Sequence, residues 1–428
     1  MSAAVASQCM GHQSCVLKTK DLSCHLSRFG DLLNSIKTLN DSMSERIYFD
    51  NAATSWPKPD AVYDAIDRFQ REMGVGFGRS SGAKPDHIRQ LVLKLRQKLK
   101  TLVGASNSDE VIFTFNGTDS LNLAIHGSLR PGDHVITTTA EHNSVLRPLR
   151  MLEDRNVIEV SRLSCDDNGR VSAAAIQAEL RPSTRLVAVI HTSNVTGASN
   201  PIGEIGAVVK ESNAMFLVDA AQSVGQQKVA FTDWQVDMLA FPGHKSLFGP
   251  LGTGCLIVNE DARKRLRPIR HGGTGASSHS DENQIIYPDA FEVGNHNVPG
   301  LVGLDAGVEF VLNAGVDFVA EKKRLLTERF VSGISKINEI KLVSGSDPDH
   351  FESGIVSFLT PVLAPSEFAG ILNSAFHIEC RAGHHCAALI HPCIGSTDGC
   401  VRFSFGLFNT ETEIALAISA IQSVSSSF

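Results

Sequence analysis

The chain has 428 residues, 42% hydrophobic and 20% charged, which is ample for a large apolar core. A formal net charge of -7, with acidic and basic residues interleaved, argues against nucleic acid or an anionic membrane surface as a partner. No run approaches the roughly 18 apolar residues of a membrane-spanning helix, and nine cysteines, an odd number, point to free thiols in a reducing, cytoplasmic compartment.

In chain order, residues 1–44 carry Cys9, Cys15 and Cys24 without a convincing apolar stripe. They lack the apolar core of a secretory signal, and Asp21, Asp31 and Asp41 make them too acidic for a transit peptide. A poorly ordered extension or an upstream start codon is expected. Residues 85–103 then place Ile88, Leu91, Leu95, Leu99 and Leu102 at three- and four-residue steps, which predicts an amphipathic helix. Apolar runs follow as strand candidates at Val111–Phe115, His134–Thr138, Leu186–His191, Met215–Asp219, Met238–Phe241 and Gly254–Val258. Helical stretches at 119–129, 172–180 and 205–212 separate several of them. The alternation implies an α/β fold with a mainly parallel sheet and helices on both faces. From about residue 306 the pattern turns helical, then closes with strand-like Gly354–Phe358 and Val401–Phe405 and a helix at 411–424. We expect a large domain over 45–305 and a smaller α+β domain over 306–428, the latter with part of 45–60.

Ligands of open α/β sheets gather at the carboxyl ends of the strands. Polar residues stand just past five successive apolar runs: Asn116-Gly117-Thr118, Glu141-His142-Asn143, His191 to Asn194, Asp219 and Gly243-His244-Lys245. A P-loop is excluded by spacing, and Gly74-Val75-Gly76-Phe77-Gly78 follows a helix, so the dinucleotide fingerprint fails on context.

Each candidate carries an ordinary reading beside a chemical one. Lys245 can be a surface lysine, or an amine that a buried strand end makes nucleophilic enough for a Schiff base. Asp219 can cap the following helix, or hold a proton on a pyridine nitrogen and so make that ring an electron sink. Gly117-Thr118 can begin a helix with Thr118 as its cap, or seat a phosphate on the helix N-terminus. Cys386, with His391 and Cys393 nearby, can be an inert thiol or a metal ligand. Alternatively, Arg381, His384 and His385 can lower its pKa to give a reactive thiolate.

In this order and spacing the segments Tyr48 to Thr54, Asn116-Gly117-Thr118, Glu141-His142-Asn143, Ser193 to Gly197, Val218 to Gln222, Gly243-His244-Lys245, Arg381 to Ala387 and Val401 to Ser404 are distinctive. Over residues 46–424 they resemble the class V branch of fold-type I pyridoxal-phosphate enzymes, and within it the group II (Suf-type) cysteine desulfurases. The resemblance implies pyridoxal 5'-phosphate as cofactor, L-cysteine as substrate, a sulfur-acceptor protein, a homodimer and a place in iron–sulfur cluster assembly, with no metal. It implies Lys245, Cys386 and His142 as catalytic residues. Lys245, Asp219, Gln222, His142, Thr118, Gly117, His244 and Asn194 would hold the cofactor, while Arg402, Arg381 and Asn194 would hold the substrate. Alanine would leave, and Cys386 would carry the sulfur as a persulfide.

Three positions depart from the family pattern. Pro242 stands where a phosphate-binding serine is usual, Asp119 stands where a second hydroxyl is common, and Asn295 lies in a segment that usually lends a phosphate contact across a dimer. These changes point to a divergent paralogue rather than the main iron–sulfur enzyme. Alternatives from the same reading are another class V enzyme (a selenocysteine lyase, a β-eliminating lyase or an aminotransferase) and a catalytically silent cofactor-binding scaffold.

Overall fold

The computed structural model describes residues 46–76, 82–273, 285–343, 348–361 and 363–427. The expected extension at 1–44 lies outside the described residues.

A seven-stranded sheet is built from β2 (Glu110–Thr114), β3 (Asp133–Thr138), β4 (Ile158–Leu163), β5 (Thr184–Ile190), β6 (Met215–Asp219), β7 (Met238–Pro242) and β8 (Gly254–Val258), after a short β1 (Ile47–Tyr48). Its order is β2-β8-β7-β6-β5-β3-β4. Pairings from β7 through β4 are parallel, whereas β8 runs antiparallel to both β7 and β2. The sheet is therefore mainly parallel, as the alternation of elements implied.

Neighbouring residues of one strand enter opposite cores, as the period of two demands. Val187, Val189, Phe216 and Val218 pack with Ile88, Leu95 and Leu99 of the Ala83–Val103 helix on one face. Leu186, Ala188, Met215 and Leu217 pack with Leu121, Ala124, Ile125 and Leu149 on the other. A strand covered on both faces reads as a continuous apolar run, which is why β5 to β8 were legible. The sequence reading missed β4. That strand lies at the sheet edge with mixed polarity, Ile-Glu-Val-Ser-Arg-Leu, and only Ile158 is buried.

A second, antiparallel sheet has the order β12-β13-β10-β9, formed by β9 (Lys341–Leu342), β10 (Ile355–Leu359), β12 (Arg381–Gly383) and β13 (Cys400–Ser404). Its core gathers Phe330, Phe358, Phe368, Phe403 and Phe405. Phe49 joins that core, β1 pairs in parallel with β11 (Ile378–Glu379) in a separate two-stranded sheet, and the Ser404 amide of β13 donates to the Phe49 carbonyl at 2.7 Å, which binds the segment around Phe49 to the antiparallel sheet. Among the described residues no helix is long and apolar enough to cross a membrane.

One buried ion pair ties the long helix to the sheet edge. Glu292 accepts from Arg96 Nη1 and Nη2 at 2.8 and 2.7 Å and from the Phe113 amide at 2.6 Å. Removing one member of such a pair strands a buried charge. Glu292→Ala is expected to lower unfolding stability by about 3–5 kcal/mol, read as a shift of the urea midpoint.

Candidate active site

Strands β2, β3, β5, β6 and β7 share a direction, so the turns that follow them meet at one edge of the sheet. There they enclose a cavity of ≈ 210 Å³ lined by Gly117, Thr118, His142, Asn194, Asp219, Gln222, His244 and Lys245, with Arg381 and Arg402 arriving from the second sheet. Every residue proposed from sequence for cofactor or substrate is in this wall. Cys386 is exposed, with its Sγ 3.4 Å from Arg381 Nη2. Strand β4, at the far edge, contributes nothing.

Asp219 ends β6 and is 3% exposed. Its Oδ1 accepts from the Ala221 amide at 2.9 Å, a local turn bond that leaves it facing the cavity. Burial raises its pKa, opposed by that amide and by Lys245. Burial in turn pushes Lys245 down to about 8, with Asp219 resisting. The amine is thus deprotonated far more readily than a surface lysine.

Two histidines border this pair, and both are neutral at physiological pH. Burial and the Lys245 charge push His142 to about 4 and His244 to about 4. The His142 Nδ1 caps its own helix by accepting from the Ser144 amide at 3.1 Å, which assigns the proton to Nε2. Ser144, which the sequence reading did not single out, also bonds the Thr118 hydroxyl at 2.8 Å. The Gly117–Ser128 helix is capped by Asn116, whose side chain accepts from the Asp119 amide, so Thr118 is not the cap.

One of the departures resolves locally. Asp119 turns away from the cavity: its Oδ2 accepts from the Phe115 amide at 3.0 Å and pairs with Arg270 at 3.2 Å. Pro242 lines the cavity beside Gly117, where an added Cβ would come within 3.2 Å of the proline ring. Asn295 lies in a separate pocket with Arg270, Glu292 and His296.

Arg402 is 1% exposed, yet its fork is partly engaged. Nη2 donates to Asp50 Oδ1 at 2.6 Å and Nη1 to the Asn194 carbonyl at 2.9 Å, while Nε has no partner among the described residues. A substrate carboxylate therefore meets a guanidinium already shared with Asp50, a residue within the opening motif to which the sequence reading gave no role. Asn194 donates Nδ2 to the His385 carbonyl at 2.6 Å, and its Oδ1 has no partner among the described residues. Gln222 Nε2 is bound to the Ala52 carbonyl at 2.9 Å. Behind the wall Glu141 is pushed up to about 8 by burial; its Oε1 accepts from Thr138 and the Ile190 amide.

The Cys386 loop is held in an unusual backbone. His385 and Cys386 have φ of 48° and 59°, the left-handed region that side chains disfavour. Two bonds hold them there: Asn194 to the His385 carbonyl, and the Asn143 amide to the Cys386 carbonyl at 2.7 Å. Of the three cations expected near the thiol, only Arg381 reaches it. His384 and His385 aim Nε2 at the carbonyls of Thr397 and Cys400, and burial pushes His385 down to about 2, so it is neutral. His391 is occupied by Ser396 and the His384 carbonyl, and among the described residues no cluster of metal-ligating side chains is present.

The chain is similar to known proteins over most of its length. The family model described as aminotransferase class-V matches residues 47–416. A probable cysteine desulfurase of Methanothermobacter thermautotrophicus is 33% identical over 394 residues, covering 91% of this chain and 96% of the relative. A cysteine desulfurase of Haloferax volcanii is 29% identical, covering 89% and 90%. Among solved structures, the apo cysteine desulfurase of Thermococcus onnurineus NA1 superposes with a TM-score of 0.82 at 29% identity, covering 90% of this chain and 95% of that one.

Proposed function

The chain belongs to the aminotransferase class-V family, and from that premise we propose that it is a pyridoxal-phosphate-dependent cysteine desulfurase that moves the sulfur of L-cysteine onto Cys386. One observation carries the reading: a buried carboxylate, a lysine of lowered pKa and a buried arginine share a cavity beside an exposed cysteine.

The residues fit the cofactor. Asp219 is a buried acceptor whose raised pKa asks for a cationic partner, which a protonated pyridine nitrogen supplies. The Asn194 Oδ1 and His244 Nδ1 atoms are buried without partners among the described residues, which leaves them free for a polar ligand. Lys245 would hold the cofactor covalently, Gly117, Thr118 and His244 would meet its phosphate, and His142, Gln222 and Asn194 would flank the ring. When bound, the cofactor supplies an electron sink for the substrate α-carbon.

The remaining chemistry lies with the chain. Arg402 and Arg381 orient the substrate carboxylate, as suits guanidinium geometry. Lys245, readily deprotonated, removes the α-proton and returns protons to the carbon skeleton. The Cys386 thiolate, steadied by Arg381, attacks the substrate sulfur; the carbon–sulfur bond breaks, a sulfur–sulfur bond forms and alanine departs. The left-handed backbone at 385–386 sets the thiol beside Arg381, at an exposed position open to an acceptor protein. We extend the proposal to a homodimer in a reducing cytoplasm that delivers sulfur to an acceptor, including in iron–sulfur cluster assembly.

The test is direct. Purified protein given pyridoxal phosphate should become yellow, release alanine from L-cysteine and gain the mass of one sulfur on the Cys386 peptide. A keto acid in place of alanine, or an unmodified Cys386 during turnover, would sink the assignment.

A further inference from the structure

We propose that Lys58 is the cation that balances the cofactor phosphate, acting from behind the turn that presents Lys245. This inference rests on the pyridoxal-phosphate reading above. A phosphate monoester carries about -1.5 to -2 charges. Yet the wall formed by Asn116, Gly117, Thr118, Ser144, Pro242 and His244 holds no charged side chain, and His244 is neutral. Pro242 offers neither a hydroxyl nor an N–H. The N-terminus of the Gly117–Ser128 helix supplies only about half a positive charge. Arg381 and Arg402 line the same cavity but are engaged by Cys386 and Asp50, and the charges that act on the His244 imidazole are those of Lys245 and Lys58.

Lys58 is the half-buried cation at the other side. Its Nζ donates to the Ser55 carbonyl at 3.2 Å, the Ser55 hydroxyl at 3.1 Å and the His244 carbonyl at 3.4 Å. That carbonyl accepts three further bonds, from the Ser55 amide at 3.2 Å, the Thr54 hydroxyl at 3.1 Å and the Ser55 hydroxyl at 3.2 Å. The amine is thereby fixed to the residue preceding Lys245. Its charge is felt at the His244 imidazole, where it helps to suppress protonation. Among the described residues no carboxylate pairs with Lys58, and burial alone lowers its pKa, to about 8. A desolvated cation held by neutral oxygens becomes more stable when an anion arrives nearby.

The phosphate-free aldehyde separates this role from simple bracing. Dissociation constants of pyridoxal phosphate and of pyridoxal would be measured by visible titration on the cofactor-stripped full chain, as wild type, Lys58→Met and Lys58→Arg. The expected result is a loss of about tenfold in pyridoxal-phosphate affinity for Lys58→Met, with pyridoxal unchanged within about twofold and Lys58→Arg close to wild type. Equal weakening of both ligands, or no weakening of either, overturns the inference. Should Lys58→Met fail to fold, Lys58→Gln takes its place under the same criteria. A wild-type chain that binds neither ligand overturns the functional reading, and this inference with it.

Discussion

Lys245→Ala is expected to abolish the yellow lysine-bound form of the cofactor and to lower alanine release from L-cysteine by about a thousandfold or more. In the proposed mechanism the substitution removes the covalent anchor and the proton-transfer group together, and a positioned acid–base group by itself is worth about 10²–10⁴-fold. Burial holds this amine near 8, well below an ordinary lysine, so in the wild type the fraction able to attack an aldehyde grows as pH rises. The rate of pyridoxal-phosphate capture should therefore climb with pH and level off above about 8. Spectra of the stripped protein mixed with cofactor across that range check both statements. A variant that retains the lysine-bound absorbance, or a capture rate flat in pH, would remove Lys245 from the centre of the chemistry.

Cys386→Ala should leave that absorbance intact and eliminate sulfur transfer. The thiol is exposed and its side-chain contact is with Arg381, so its loss leaves Asp219, Lys245, His142 and the other residues proposed for the cofactor in place. With no thiolate to take the sulfur, alanine release should fall by about a thousandfold or more, since removing a covalent nucleophile can cost up to about 10⁶ in kcat. Mass spectrometry of protein quenched during turnover should find no added sulfur on its peptide. Sustained alanine formation, or persulfide appearing on Cys393 in the variant, would reassign the acceptor thiol. Arg381 both lines the cavity and contacts Cys386 Sγ, so Arg381→Gln is expected to lower alanine release in part with cofactor retained, and only a fall in kcat at saturating L-cysteine, with KM unchanged, would trace the loss to the thiol.

Much of the architecture was legible before any coordinate. Met215–Asp219 and Gly254–Val258 are strands with the boundaries their apolar runs indicated, because a strand buried on both faces needs an unbroken apolar stretch. The candidate residues were legible for a related reason: a polar side chain just past such a run has the strand's carboxyl end as its address. Elements that answer to neighbours were not. Ile158–Leu163 is half solvent-facing and its alternation is weak, and the reversed direction of Gly254–Val258 has no local signature in its residues.

The sequence by itself determined the chemical inventory, namely a lysine and a carboxylate at strand ends and two arginines and a cysteine in the Arg381 to Ala387 and Val401 to Ser404 motifs, and the order in which the fold would present them. Only the tertiary structure decided how those groups behave. Asp50 takes one edge of Arg402 across 352 positions of chain, Asp119 swings toward Arg270, and His384 and His385 turn to carbonyls and away from the thiol. Protonation followed the same rule: the depth of burial of these side chains, set by segments far apart in the chain, keeps His142 and His244 neutral and Lys245 near 8. Residue type and spacing are local properties of a chain, whereas desolvation and charge pairing depend on segments that meet only once the two sheets have packed.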